Sequence, residues 1–524
     1  MSAMAALHET ASIGDVVISA LRRHADRVAF RYEGTETTYR ETEDALARWV
    51  ALFAELGLRP GEGIGLLSPN RPEAWLAQTA PALAGGRYTA LHPLGSLDDH
   101  LHACDEAELR FVLVDPAFGE RGARILEHAK TVEAVFSLGP SDVGPDFVEM
   151  AARALPNGRL DRGPQGPEDV AHLLYTGGTT GVPKAAMLPN RAWVAMAYGT
   201  ALGWDLPERS TYLAVAPISH AAGMLVLPTL LQGGTVVLQR RFDPEAWLSA
   251  VSAERVNLSL LVPTMIYAIL DHPAFERADL SSLETVVYGA SPVSPTRLAE
   301  AIERLGPVFC QLYGQTESLG QGTSLWRHQH DPGDMHRLTS CGTAMPFNRV
   351  TLLDETDQPV PDGTPGEICL QGPSLMLGYW RQPQLTEATL AAGWLHTGDV
   401  GVRDEDGLFY IVDRKKDMIV SGGFNVFPRE IEDVIAQHPA VSTSAVIGVP
   451  DEKWGEAVKA LVVLRPGATA EPDELTALVR ERKGAVYVPK TLEFVESLPT
   501  TPVGKADKRA LRERYWAGHE RRVG

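Results

Sequence analysis

The stretch "TGGTTGVPKAAML", Thr176 to Leu188, stands between a strand-like "AHLLY" and a helix-like "RAWVAMAYG". Glycines have no side chain to fill a core and let a ligand approach the backbone closely. Their amides can line a concavity, the threonine hydroxyls add adjustable donors, and Lys184 supplies a compact positive charge. Together these suit a chain of phosphates. The loop is not a Walker A loop, because five positions after Gly178 comes Pro183, where a Gly followed by Lys and Ser or Thr is required.

Outward from this loop the alternation continues. "IGDVVISALRRHA" has apolar residues at helical spacing, whereas "GIGLLS", "RFVLVD" and "TVVLQ" are short apolar runs. Such alternation predicts an α/β fold with parallel sheets covered by helices. Between Thr351 and Tyr410, turn-rich segments such as "DETDQPVPDGTPGE" and "RDEDGL" predict a compact β subdomain. After "DRKKD", Asp413 to Asp417, the segments "EIEDVIAQHP", "STSAVIGVP", "KALVVLRPG" and "ELTALVRERK" read as a small α+β domain. The expected division is therefore 1–413 and 414–524.

The totals agree with a large enzyme. At 524 residues the chain exceeds the size at which one core keeps growing. A net charge of -19 argues against a broad nucleic-acid surface, so any anion must be bound locally. Cys104, Cys310, Cys341 and Cys369 form no CxxC pair, which fits neither a disulfide framework nor a zinc ribbon and suits a reducing cytoplasm. The first residues do not read as a signal peptide, and no run approaches the roughly 18 apolar residues of a spanning helix. "GEGIGLL", from Gly61, lacks the GxGxxG spacing of a dinucleotide fold, and HExxH and GxSxG motifs are absent.

Two distant segments sharpen the loop's meaning. "YGQTES", Tyr313 to Ser318, sets the Glu317 carboxylate beside the Thr316 hydroxyl, and phosphate-bound Mg²⁺ is typically held by one or two carboxylates. "WLHTGD" ends in Asp399, an acceptor able to take both hydroxyls of a ribose. Together and in this order, the segments resemble the adenylate-forming superfamily of acyl-CoA synthetases, aryl-CoA ligases, luciferase and peptide-synthetase adenylation domains. The resemblance covers nearly the whole chain and is nearest to stand-alone fatty or aromatic acyl-CoA synthetases.

The resemblance implies a large N-terminal domain of αβ-layered sheets with a β subdomain, and a small mobile C-terminal domain. It implies that Thr176, Gly177, Gly178, Thr179, Thr180, Gly181 and Lys184 embrace the β- and γ-phosphates of ATP. The family has Ser at Gly177 and Gly at Ala185, so one donor is lost and Ala185 is expected to stiffen the loop. Tyr313 and Gly314 would meet adenine, Thr316 the α-phosphate, and Glu317 with Thr180 the Mg²⁺. Gly289, Ala290 and Ser291 of "VVYGASP" would line the nucleotide and acid, with Ile411 on the nucleotide and Asp399 and Arg414 on the ribose. His220 of "APISHAAG" is the candidate gate of the acyl pocket. Tyr288 either shortens that pocket or packs in the core. Lys505, on a Gly-Lys turn, would be the catalytic lysine, stabilising the meeting of a carboxylate with the α-phosphate.

The two chemistries expected of one site require movement. The family rotates its C-terminal domain about a hinge that maps to Lys416, exchanging Lys505 for the segment opening at Ser421, Gly422 and Gly423, where a pantetheine chain of CoA could pass. The expected reaction forms an acyl-AMP from a fatty or aromatic acid and ATP, then a thioester with CoA. An amide synthetase that passes the acyl group to an amine shares every adenylation motif, and a nucleotide-binding protein without catalysis is the reading from another class. The motifs leave the oligomeric state open.

Overall fold

The computed structural model describes residues 11–156, 158–176, 184–414, 417–421, 424–451, 454–500 and 506–516. It divides into two compact units, 1–350 with 370–395, and 351–369 with 396–524. The architecture is α/β, with sheets and covering helices in the first unit and β-rich structure in the second.

In the first unit one six-stranded sheet runs Ala134–Ser137, Leu109–Val114, Gly63–Leu67, Arg87–Ala90, Val170–Thr176 and Lys184–Pro189. Its first five strands are parallel, and only the last pair is an antiparallel hairpin. The central strand "GIGLL" is buried along its length, as a sheet covered on both faces demands. In the second sheet six adjacent strands are parallel, from Phe309–Tyr313 through Thr285–Gly289, Leu258–Leu261, Thr211–Ala214 and Thr235–Leu238 to Val28–Tyr32. Helices begin where short polar side chains close capping boxes, as at Ser12 with Asp15 and Ser96 with Asp99. Each such cap contributes about 1 kcal/mol.

The glycine-rich loop is shorter than its composition suggests. Its last residues form the strand Lys184–Pro189, and the methyl of Ala185 is fully buried in a core with Leu91, Val112 and Leu173. Ala185 is thus a packing residue of a strand, which corrects the expectation that it stiffens a loop.

In the second unit a meander of Arg349–Leu353, Gly366–Gln371, Leu395–Arg403 and Phe409–Arg414 supplies the expected β subdomain. The C-terminal sheet is built on the long antiparallel pair Val441–Asp451 and Gly455–Leu464. Helices Pro428–Ile435 and Lys508–Trp516 both pack on Val441–Asp451. The Asp413 carboxylate accepts the Arg429 N–H at 2.8 Å, a bond across the "DRKKD" segment that helps group the meander with the C-terminal sheet. The four cysteines are buried and form no disulfide among the described residues. Among those residues no helix is long and apolar enough to cross a membrane.

Candidate active site

The antiparallel hairpin sets Thr176 opposite Lys184, so both ends of the glycine-rich loop meet at the sheet's edge. Gly177, Gly178, Thr179, Thr180 and Gly181 lie outside the described residues. Along the other edge of Lys184–Pro189 runs the segment 376–380. Met187 N–H donates to Gly378 O at 2.9 Å, Leu377 N–H to Met187 O at 2.9 Å and Trp380 N–H to Ala185 O at 2.8 Å. This brings in Tyr379, which no motif marked. Its hydroxyl donates to Glu317 Oε1 at 2.7 Å, and Lys184 Nζ lies 5.4 Å from its ring centroid. Burial, and then the Glu317 carboxylate, raise the Tyr379 pKa, so the phenol stays a donor. Glu317 is only 8% exposed, and its carbonyl accepts Met376 N–H at 2.9 Å. A buried carboxylate with one oxygen held by a phenol fits Mg²⁺, whose ligands are oxygens.

Glu317 is reached from the end of a parallel strand. Tyr313 closes Phe309–Tyr313, and its carbonyl accepts Gly322 N–H at 3.0 Å, folding 313–322 into a tight loop. Gly314 is obligatory there, because a Cβ would stand 2.5 Å from the Gly320 carbonyl carbon. Gly289 ends the neighbouring strand, paired with Leu312, and Ala290 follows with φ at 61°, a left-handed conformation that costs a non-glycine residue roughly 1–2 kcal/mol. Thus Gly289, Ala290, Ser291, Tyr313, Gly314 and Thr316 all gather at the carboxyl ends of adjacent parallel strands, where open α/β sheets bind ligands.

His220 precedes a short helical turn, Ala221–Leu225, whose Met224 packs against Gly320 of that loop. The histidine keeps an open face, yet the protein around it, and then His92, hold its imidazole down at about 4. The rings of His92 and His220 meet edge-on at 4.7 Å. The loop carrying His220 is clamped by Asn70, a second residue that sequence reasoning missed. The buried Asn70 amide donates to Ala216 O at 2.8 Å and Gln239 O at 3.1 Å, and accepts Ile218 N–H at 2.8 Å. Asn70 and His92 follow the strands Gly63–Leu67 and Arg87–Ala90, so the first sheet braces a loop of the second.

Tyr288 is not a pocket wall. It is 1% exposed and packs with Phe309 and Ile266 in the core. His330 Nδ1–H donates to Trp326 O at 2.9 Å, which leaves Nε2 to accept the Tyr288 hydroxyl at 2.9 Å. Of the two positions open to it, Tyr288 takes the core.

In the second unit Asp399 is 4% exposed and sits opposite Arg414 across an antiparallel pair, with Ile411 opposite Gly401. The turn before Asp399 is braced from within. Thr397 Oγ1 donates to Ile368 O at 2.6 Å and accepts Asp399 N–H at 3.1 Å, while Gly398 N–H donates to Glu367 Oε1 at 2.9 Å. His396 Nδ1 bonds Glu367 Oε2 at 3.1 Å, with Cys369 Sγ 3.5 Å away. Among the described residues, Glu367, Cys369 and His396 are the one trio with metal-ligand chemistry close together. Their mutual bonds make them a strut for the aspartate's turn. Ser421 is buried at the end of Ile419–Ser421. The Arg414 side chain, Lys416, Gly422, Gly423 and Lys505 lie outside the described residues.

Comparison with known proteins agrees with this geometry. The chain is similar to the medium/long-chain-fatty-acid–CoA ligase FadD8 of Mycobacterium tuberculosis, 44% identical over 98% of this chain and 91% of that protein. It is 39% identical to a feruloyl-CoA synthase of an Amycolatopsis species, over 96% of this chain and 99% of that protein. The solved structure of the amide bond synthetase McbA from Marinactinospora thermotolerans superposes with a TM-score of 0.89 at 35% identity, covering 96% of this chain and 99% of that one. The AMP-binding enzyme family matches residues 18–380, and the AMP-binding enzyme C-terminal domain matches residues 430–505. With motifs, fold and relatives in agreement, the chain belongs to the AMP-binding enzymes of the adenylate-forming superfamily.

Proposed function

We propose that the protein is an AMP-forming carboxylate–CoA ligase acting on a fatty or aromatic acid, with domains 1–413 and 414–524 alternating about Lys416. The observation that carries this reading is the gathering of Lys184 and Glu317 around Tyr379. A phosphate-binding cation and a buried carboxylate so arranged suit a metal-bound polyphosphate.

In the first step a carboxylate oxygen of the acid attacks the α-phosphorus of ATP. The bond from that phosphorus to the bridging oxygen breaks, and pyrophosphate leaves. Lys184 and the loop up to Gly181 hold the departing phosphates, Tyr313 packs on adenine, and Asp399 with Arg414 takes the ribose. Glu317, with Thr180, is the residue for Mg²⁺, which supplies charge neutralisation on the phosphates when bound. Lys505 neutralises the approach of two anions. In the second step the CoA sulfur attacks the acyl carbon, the bond to AMP breaks, and the thiol proton passes to solvent. The segment Ser421 to Gly423 lines the thiol's path. His220 borders the acid; uncharged, it offers the acid's tail a neutral wall. A cytoplasmic setting suits buried thiols that form no disulfide among the described residues.

The relatives named for fatty acids and for feruloyl-CoA support the acid class and the thiol acceptor, whereas the likeness to McbA favours the amine as second reading. The test is a panel of fatty and aromatic acids with ATP and Mg²⁺, scored for pyrophosphate release and product, alone, with CoA and with amines. Acid-dependent pyrophosphate release with a CoA thioester as product is expected. A product that incorporates amine and ignores CoA would move the reading to an amide synthetase, and no pyrophosphate release with any acid would end it.

A further inference from the structure

We propose that Tyr379 is a positioning residue for the metal-nucleotide half of the site, one that fixes which oxygen of Glu317 is presented and spaces it from Lys184. This rests on Glu317 being the metal-holding carboxylate.

Three observations converge on this tyrosine. Its hydroxyl engages Oε1 of Glu317 at 2.7 Å in a buried setting. Among the described residues the other oxygen, Oε2, accepts no hydrogen bond. A carboxylate on a flexible side chain would otherwise sample several rotamers, each changing the direction of its lone pairs. Tied at one oxygen, it presents the other in a single orientation, as Mg²⁺ requires with its narrow octahedral tolerance. The second observation is the ring itself, whose centroid lies 5.4 Å from Lys184 Nζ. A cation at that distance is attracted to the ring's face, which holds the ammonium near Glu317 without a direct ion pair neutralising either. The third is the backbone around it. Bonds from Met187, Leu377 and Trp380 lay 376–380 along Lys184–Pro189, with an isolated bridge between Ala186 and Tyr379, and Met376 N–H is bonded to the carbonyl of Glu317. Tyr379 N–H donates to Thr386 Oγ1 at 2.8 Å, fixing the segment's far side. The tyrosine therefore has little freedom, and the order of this segment passes through its hydroxyl to the carboxylate.

The hydroxyl and the ring can be separated chemically. Tyr379→Phe removes the bond to Glu317 and keeps the ring; Tyr379→Leu removes both. Binding of Mn²⁺ with a non-hydrolysable ATP analogue, followed by electron paramagnetic resonance of free Mn²⁺, reads the site without turnover. Tyr379→Phe is expected to weaken Mn²⁺ about 5–10-fold, the loss of one hydrogen bond to a charged group. The KM for the acid should stay within about twofold of the parent. Tyr379→Leu should weaken the nucleotide analogue further. Adding Tyr379→Phe to Glu317→Gln should cause no further loss, because the hydroxyl acts through the carboxylate. Unchanged Mn²⁺ affinity in Tyr379→Phe beside a weakened Glu317→Gln overturns the role of Tyr379 alone. Unchanged affinity in Glu317→Gln overturns the metal reading of Glu317 and takes the role of Tyr379 with it. Equal losses for acid, metal and nucleotide in Tyr379→Phe would mark a general structural role and also overturn the proposal. Should Tyr379→Leu fail to fold, Tyr379→Phe decides, since its ring fills the same space.

Discussion

Two tyrosines show how far a residue's partners decide its work. Tyr288 stands in a segment that resembles the acid-binding wall, yet its side chain enters the core and its hydroxyl is used by His330. Tyr288→Phe should therefore lower stability by about 1–2 kcal/mol, through a lost buried bond and an unpaired imidazole nitrogen. Acid preference should be unchanged. Urea denaturation and a comparison of KM across acids would check both, and an altered chain-length preference would return Tyr288 to the pocket. The difference was not legible in the sequence, because a strand residue can face either side and only the neighbouring strand and helix reveal which. Tyr379 was illegible for another reason. It lies 62 residues from Glu317, in "LMLGYW", which carries no charge or pattern suggestive of chemistry. By contrast Glu317, Lys184 and Asp399 stood out in the sequence as candidates because charged or acceptor side chains in short polar motifs have few structural explanations once taken together. Asn70 had no such signal, since a lone Asn before Arg and Pro reads as a turn residue.

At the scale of elements, the hairpin Val170–Thr176 with Lys184–Pro189 is the frame on which the glycine-rich loop hangs, and 376–380 runs along its edge. Glycine and threonine content marked the loop but hid where the returning strand begins. "KAAML" has too little β-branched character to read as a strand by itself, and its pairing on both edges overrides that propensity. One of the two positions that depart from the family, Ala185, belongs to this strand. Its methyl is buried, so Ala185→Gly would remove apolar area and loosen the unfolded chain's constraint, together costing about 1–2 kcal/mol. The expected result is a lower melting temperature with no gain in the rate of pyrophosphate release. A faster variant of undiminished stability would reinstate Ala185 as a brake on the loop. The parallel strands were readable as short apolar runs, and their carboxyl ends held the motifs as such sheets demand. What periodicity could not supply was the bracing between sheets, through Asn70 and His92, because such contacts join residues remote along the chain.

For the whole molecule, the question is how one chain performs two steps, at phosphorus and then at the acyl carbon, that need different groups in the same site. The C-terminal sheet carries a helix, Lys508–Trp516, whose Leu511 enters a core with Ala445, Ile447 and Leu461. On its polar face Lys508 pairs with Glu432 at 2.9 Å and Arg512 with Asp417 at 2.6 Å. These pairs are largely shielded from water, so breaking one would cost more than an exposed ion pair does. The helix begins three residues after Lys505 and grips Asp417, the residue after the proposed hinge at Lys416. Under the proposed alternation about Lys416, a lysine three residues before this helix would travel with the C-terminal sheet and leave the nucleotide once the adenylate has formed. Lys505→Ala should then suppress pyrophosphate release from acid and ATP by about 10²–10³-fold, the magnitude of removing one preorganised charge-stabilising group. Conversion of supplied acyl-AMP to the thioester should remain within about threefold of the parent, because the lysine is absent from that step. Rapid-quench measurement of each half-reaction separates the two outcomes. Equal loss in both would mean that Lys505 stays in the site throughout, and alternation about Lys416 would then have no role in the cycle.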